Sequence, residues 1–204
     1  MPLPGPKSLG GLFAGSTAFI HSLIKNLTND NPDSKVLSTM PGRPHSERIL
    51  ADLEEIRCEL LVEAGRISHN QLDWVPSTGM KSYRDLLIEI GATEAENLCA
   101  IKTGEADWNK AVAYVGGRGS DVQSVLSDLT KVRQETIDYL KAISEEDLQR
   151  PVPLPKAWYE HFDGRTEIEP EELFRWTARH EYYHLGQIIT MRWLQGHNPY
   201  QSAD

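Results

Sequence analysis

The stretch EELFRWTARHEYYHLGQIITMRWLQG, residues 171–196, decides the fold. Apolar and uncharged residues recur in it at helical spacing, and Pro170, which directly precedes it, suits the first turn of a helix. The stripe consists of Leu173, Trp176, Thr177, His180, His184, Gln187, Ile188 and Met191. We therefore predict a long amphipathic helix whose inward face carries two histidines.

Three earlier stretches have the same amphipathic pattern. They run over about residues 46–69, 82–103 and 122–143, and loops rich in Gly, Pro, Ser and Asp separate them. The second begins at Ser82, whose spacing to Asp85 is typical of a capping box. Four such helices with few strand signals predict an all-α protein built as a four-helix bundle.

Two segments lie outside these helices. Residues 1–45 are broken by prolines and form a predicted N-terminal extension with an amphipathic helix near residues 9–27, so the bundle domain is expected at residues 46–204. The Pro-rich connection before the last helix is expected to contain no helix. Asp163-Gly164 within it forms either a small hairpin turn or part of an irregular connection.

Composition excludes several functions. The formal net charge of −9 disfavours binding to nucleic acid or an anionic membrane, since both recruit basic patches. No run of apolar residues is long enough to span a bilayer, and a signal peptide is not expected. Cys58 and Cys99 fit small buried thiols, so we expect a protein of the reducing cytoplasm.

His180 and His184 form the main candidate site. Residues four apart on a helix project about 40° from one another, so both imidazoles can reach one metal ion. With Glu181 they also match the H-E-x-x-H pattern of zinc proteases, in which the Glu is the general base. No carboxylate ligand follows at a useful distance, so the protease interpretation fails. Glu181 is then either a charged neighbour on the helix flank or a base.

A third ligand must come from another helix, and here the sequence resembles a known family. Residues 171–196 resemble the last helix of the DinB-like (YfiT-like) metal-binding four-helix bundles, chiefly in "HEYYHLGQI" and the final Gly. "LDWVPSTGMKSYRDLLIEIGATEAEN", residues 72–97, is similar to that family's second helix and its preceding turn. The resemblance covers roughly residues 46–196 and implies a three-histidine metal site.

This sequence departs from the family at the third ligand. The family's histidine on the second helix corresponds to Glu89, so the resemblance implies a metal set of Glu89, His180 and His184. A carboxylate can replace an imidazole as a ligand. The alternative is that Glu89 only borders the bundle of a metal-free relative.

Several residues of the last helix could assist such a site. Gln187 lies about one turn after His184 and can hydrogen-bond a ligand or a metal-bound water, which makes it a candidate catalytic residue beside Glu181. Gly186 is expected to let a neighbouring helix approach. Trp176, Tyr182 and Tyr183 either belong to the core or line a pocket.

The resemblance implies a metal-dependent enzyme, a transferase or isomerase that uses a low-molecular-weight thiol on a small electrophile. Zinc or nickel is expected first, and iron and manganese are also compatible with these ligands. Glu181 or a water would accept the thiol proton. Relatives of this kind are often homodimers. The alternatives are a metal-dependent hydrolase and a metal-free, stress-related binding protein.

Overall fold

A computed structural model describes residues 44–116 and 121–198. Its four long helices are α1 (His45–Ala64), α2 (Tyr83–Thr103), α4 (Val122–Ala142) and α6 (Pro170–Leu194), and the shorter α3 (Trp108–Gly116) lies between α2 and α4 in the chain. The long helices pack against one another, α1 mainly on α6 and α2 mainly on α4 and α6. The predicted all-α bundle is confirmed. The predicted extension, with its helix near residues 9–27, lies outside the described residues.

Local sequence signals fix where the long helices begin. The Ser82 side chain accepts a hydrogen bond from the Asp85 backbone N–H, and the Asp85 carboxylate accepts one from the Ser82 N–H, so the predicted capping box forms. Asp121 caps α4 by accepting from the Ser124 N–H. Pro170 occupies the first turn of α6 as predicted.

The connection before α6 is more ordered than predicted. It contains a short helix α5 (Glu145–Gln149) and a 3₁₀ helix (Lys156–Phe162), so the expectation of a helix-free segment was wrong. Two short strands, β1 (Val152–Pro153) and β2 (Glu167–Ile168), pair antiparallel. Asp163-Gly164 does form a turn, with positive φ at both residues, but it follows the 3₁₀ helix instead of joining the strands directly. A further 3₁₀ helix (His69–Gln71) follows α1.

The core consists of two apolar clusters at opposite ends of the bundle. One joins the C-terminal half of α1 to the first half of α2 and the second half of α6. The other joins the first half of α1 to the end of α2, the first half of α6 and the connection before α6. In α1, α2 and α6 a charged residue lies between the residues of the two clusters. The bundle thus has a polar layer at its middle.

That layer is a quartet of buried charges, one from each long helix: Arg57 of α1, Glu94 of α2, Arg133 of α4 and Glu181 of α6. Each side chain is at most 1% exposed. Arg57 lies 2.8 Å from Glu94 and 2.6 Å from Glu181, Arg133 lies 2.7 Å from Glu94, and Arg133 also pairs with Glu181. The charges sum to zero, so the layer is neutral as a whole.

Backbone carbonyls complete the quartet. Arg57 Nη1 donates to the Leu129 carbonyl at 2.7 Å, and Arg133 Nη1 donates to the Leu53 carbonyl. Burial alone would raise the pKa of Glu94, but Arg133 and Arg57 outweigh it and hold that pKa at about 2. Glu94 therefore stays ionised inside the bundle throughout the neutral range.

Two compositional expectations can be compared with the structure. No helix in the described ranges has the length and apolar character needed to cross a membrane. Both cysteines are free thiols; Cys58 is half-buried, but Cys99 is exposed, so its expected burial was wrong.

Glu94→Gln should destabilise the bundle by about 3 to 5 kcal/mol at pH 7, because it leaves two buried guanidinium groups short of a counter-charge. Since the folded-state pKa of Glu94 lies below its usual 4.5, the stability that its charge contributes is present above pH 4.5 and is lost as the pH falls towards about 2. Urea unfolding at a series of pH values should show the difference between wild type and variant shrinking across that window.

Glu59→Gln is the matched control, since Glu59 is exposed on the same bundle and should shift stability by no more than about 0.5 kcal/mol. A Glu94→Gln protein as stable as the wild type, or a stability difference that does not change between pH 7 and pH 2, would contradict this account of the quartet.

Two glycines offer a second test. A Cβ on Gly91 of α2 would lie 2.7 Å from Val115 Cγ1 and 3.0 Å from Leu129 Cδ2, both fully buried, whereas a Cβ on Gly186 of α6 meets nothing within 4 Å. Gly91→Ala should therefore cost about 1 to 3 kcal/mol through overpacking. Gly186→Ala should stabilise α6 by up to about 1 kcal/mol through helix propensity. Chemical denaturation of both variants measures the change in the free energy of unfolding, which should fall for Gly91→Ala and rise for Gly186→Ala. Changes in the same direction would refute the packing argument.

Candidate metal centre

A pocket of about 1020 Å³ opens between the start of α2 and the second half of α6. Glu89 projects into it from α2, while His180 and His184 project from α6. Apolar side chains form much of the wall, and the polar groups are concentrated around the two histidines. A largely apolar cavity with a few convergent polar groups is typical of a small-molecule site.

The three side chains of the predicted metal set come together in this pocket. One ligand atom from each of Glu89, His180 and His184 lies within 4.8 Å of the others. The two histidine Nε2 atoms are 3.1 Å apart, and His184 Nε2 is 3.8 Å from Glu89 Oε2. Two atoms bound to one zinc ion at about 2.1 Å each would lie about 3.4 Å apart at a tetrahedral angle, so this group can hold a metal ion.

Gln187 sets the tautomer of His184. The Gln187 amide nitrogen donates to the Tyr183 hydroxyl at 3.1 Å, which leaves the amide oxygen as an acceptor 2.7 Å from His184 Nδ1. With its proton on Nδ1, His184 would donate to this oxygen and leave its Nε2 lone pair facing His180 and Glu89. Fixing a ligand imidazole through its other nitrogen is the usual outer-shell arrangement at metal sites. Gln187 thus lies beside the site, as expected, where it orients the imidazole of His184.

His180 is held in its neutral form. Burial, helped by the neighbouring His184, lowers the pKa of His180 to about 4. Its imidazole is consequently uncharged at neutral pH, as metal binding requires. The Thr93 hydroxyl lies 3.5 Å from His180 Nε2.

Lys81 is a pocket residue that sequence analysis missed. Its ammonium forms an ion pair with Glu89 Oε2, the same oxygen that lies nearest to His184 Nε2. Lys81 precedes the α2 cap Ser82, and the loop before the helix brings it back over the first turns. Contacts of this kind, made by a loop eight residues away, have no periodic signature in a sequence.

Glu181 lies elsewhere. It was expected to be either a charged neighbour on the helix flank or a catalytic base, but it is 1% exposed and belongs to the buried quartet. Its Oε1 accepts a hydrogen bond from Arg57, its Oε2 accepts from both Arg57 and Arg133, and Glu181 does not line the pocket. The carboxylate therefore belongs to the core.

The neighbouring predictions have mixed outcomes. Trp176 and Tyr183 do line the pocket, whereas Tyr182 does not, and all three are exposed side chains of α6. Gly186 was expected to allow the close approach of another helix, but no described residue lies near its missing Cβ. Gly186 instead leaves open space in the pocket wall.

Comparison with known proteins bears on this geometry. A family model described as the DinB superfamily matches residues 52–188, more than half of the chain. The chain belongs to the DinB superfamily. Neither the curated proteins nor the solved structures that were compared gave a match.

The matched range of this DinB-superfamily chain contains both special features of its bundle, the buried quartet and the group of Glu89, His180 and His184. Domains of the DinB superfamily often bind metal ions. A ligand group whose atoms and spacing suit a metal ion therefore occurs in a superfamily whose domains often bind metal ions.

Proposed function

We propose that this DinB-superfamily protein is a metal-dependent enzyme in which Glu89, His180 and His184 hold one divalent ion. The observation that carries the proposal is the convergence of these three ligand atoms within 4.8 Å at the base of a large pocket. Zinc or nickel is the preferred ion, and iron and manganese also suit mixed imidazole and carboxylate ligands. Three protein ligands leave coordination positions open, as catalytic sites do.

The reaction we propose is transfer of a low-molecular-weight thiol to a small electrophile, or an isomerisation that uses such a thiol. A bound divalent metal supplies the Lewis acidity that favours the deprotonated form of a thiol near neutral pH. The thiol proton passes to water, the sulfur electron pair forms a bond to the electrophilic carbon, and the leaving group departs with the electron pair of the broken bond.

The pocket supports a thiol over a water nucleophile. Among the described residues that line it, Glu89 is the only carboxylate, and Glu181 lies in the core. A hydrolase of this kind gains from a carboxylate base that takes a proton from water, whereas a thiol, with an ordinary pKa of about 8.5, needs little help to ionise. The apolar walls at Leu86 and Met191 also suit an organic thiol and its electrophile.

A second candidate is a metal-free bundle that binds small molecules without transforming them. The ion pair between Lys81 and Glu89 supports it, because the ammonium of Lys81 supplies Glu89 with a counter-charge in place of a metal. Metal analysis separates the two candidates.

Protein prepared without a histidine tag should bind about one equivalent of zinc, measured by elemental analysis and by titration against a competing chelator. His184→Ala and Glu89→Ala should lose that metal because each removes a ligand. Gln187→Leu should weaken zinc binding by roughly 10- to 100-fold, since it frees the His184 ring from its orienting hydrogen bond.

Two variants serve as controls for the metal measurement. Glu89→His replaces one ligand type by another and should retain the metal, while His69→Ala removes an exposed histidine outside the pocket and should bind zinc as the wild type does. Wild-type protein that takes up no metal, even after incubation with zinc, nickel, iron or manganese ions, would favour the metal-free bundle.

Thiol consumption tests the reaction class. Metal-loaded protein mixed with a reactive electrophile and a panel of low-molecular-weight thiols should consume thiol and electrophile in equal amounts, and His184→Ala should not. Formation of the hydrolysis product with no loss of thiol would replace the transferase proposal by the hydrolase.

A further inference from the structure

Two positively charged side chains line the pocket although the protein has a net charge of −9. Lys81 and Arg179 both line it, and Glu89 is the one acidic residue among the described residues of its wall. With a divalent ion held at Glu89, the charges of the ion, Glu89, Lys81 and Arg179 sum to +3. Such a surplus inside a cavity attracts an anion.

Arg179 forms no ion pair with a carboxylate of the described residues, so its guanidinium can bind an anion in the pocket. Eight of the ten arginines in the described ranges form ion pairs with carboxylates, and Arg179 is not among them. Its guanidinium instead lies 5.9 Å from the centre of the Trp176 ring. Stacking on an aromatic ring restrains the guanidinium while leaving its N–H donors available to a ligand.

Lys81 and a metal ion compete for Glu89. The ammonium donates to Glu89 Oε2, the oxygen that lies 3.8 Å from His184 Nε2. A divalent cation held by Glu89 and the two histidines would repel the ammonium and replace it as the counter-charge of Glu89. Lys81, which is half exposed, can then turn to another anion in the pocket.

We propose that the pocket binds a small organic anion with an apolar body, and that metal binding at Glu89 releases Lys81 to join Arg179 in holding its anionic group. The inference rests on the proposed metal site. The apolar body of the ligand would cover the exposed side chains of Met80, Trp176, Tyr183 and Leu194 at the pocket wall.

The exchange makes metal and anion binding cooperative, since the metal ion frees the ammonium of Lys81 from Glu89 and the freed ammonium can bind the anion. Lys81→Met should therefore act in opposite directions on the two ligands: zinc binds more tightly because its competitor is gone, and the anion binds more weakly. Arg179→Gln should weaken anion binding and leave zinc affinity unchanged.

The probe pair is 1-naphthylacetate and its neutral isostere 1-naphthylacetamide, titrated by calorimetry into metal-free and zinc-loaded protein. We expect the acetate to bind zinc-loaded wild type at least about tenfold more tightly than metal-free wild type, and about tenfold more weakly in zinc-loaded Lys81→Met and Arg179→Gln. The affinity for the acetamide should be the same for all of these proteins. Lys110→Met, which removes an 85% exposed lysine outside the pocket, should match the wild type.

Zinc titrations of the same proteins separate this inference from the proposed function. Normal zinc binding with an acetate affinity equal to that of the acetamide, or insensitive to Lys81→Met and Arg179→Gln, would overturn the anion site and leave the metal site standing. Failure of the wild type to bind zinc would overturn the proposed function and the exchange together. Thermal unfolding of each variant verifies that it is folded.

Discussion

The buried quartet of Arg57, Glu94, Arg133 and Glu181 is the constraint on which the bundle depends. Apolar surfaces can slide past one another at small cost, but a charge removed from water needs its partner at hydrogen-bonding distance. Each long helix contributes one member, so all four helices must be in register before any member is satisfied. The quartet therefore selects one arrangement among the many that would bury the same apolar stripes.

The quartet also determines how α6 presents its functional side chains. Consecutive helical residues point about 100° apart, so anchoring Glu181 in the core turns His180 towards the pocket, and His184 follows one turn later. The H-E-x-x-H string thus has two separate roles. Its histidines form the candidate metal group, and its glutamate holds the helix in register, which is why a protease pattern occurs here without protease chemistry.

Local and periodic features were readable from the sequence. The capping box at Ser82 and the start of α6 at Pro170 follow from short-range chemistry, and both were predicted correctly. Helix α5 carried a similar signal that was missed, since Ser144 accepts from the Asp147 N–H as a capping residue does. Helix α3 was also missed, although its two buried residues, Ala111 and Val115, lie four apart, on one face of the helix.

The quartet left a partial signal. Charged residues stand within apolar stripes of all four long helices, so burial could have been inferred, but the pairing of Arg57 with both glutamates depends on the three-dimensional packing of the helices. The ion pair of Lys81 with Glu89 has no pattern in the sequence from which it could be predicted. It arises because a loop folds back on the helix it precedes, and loop paths are not periodic.

Glu89 brings a carboxylate, rather than an imidazole, to the third ligand position of the proposed site, and this changes the electrostatics of the whole pocket. A neutral imidazole needs no counter-charge, whereas a partly buried carboxylate does, and Lys81 supplies it. The pocket therefore contains a charged pair, and a divalent ion at the proposed site would have to displace its positive member. The metal-free site is neutral at that pair, whereas the proposed metal-loaded site would be strongly cationic, so the state that carries the metal would also be the state that attracts an anionic ligand. The competition between Lys81 and the metal ion for Glu89 would therefore couple metal binding to the binding of a second molecule.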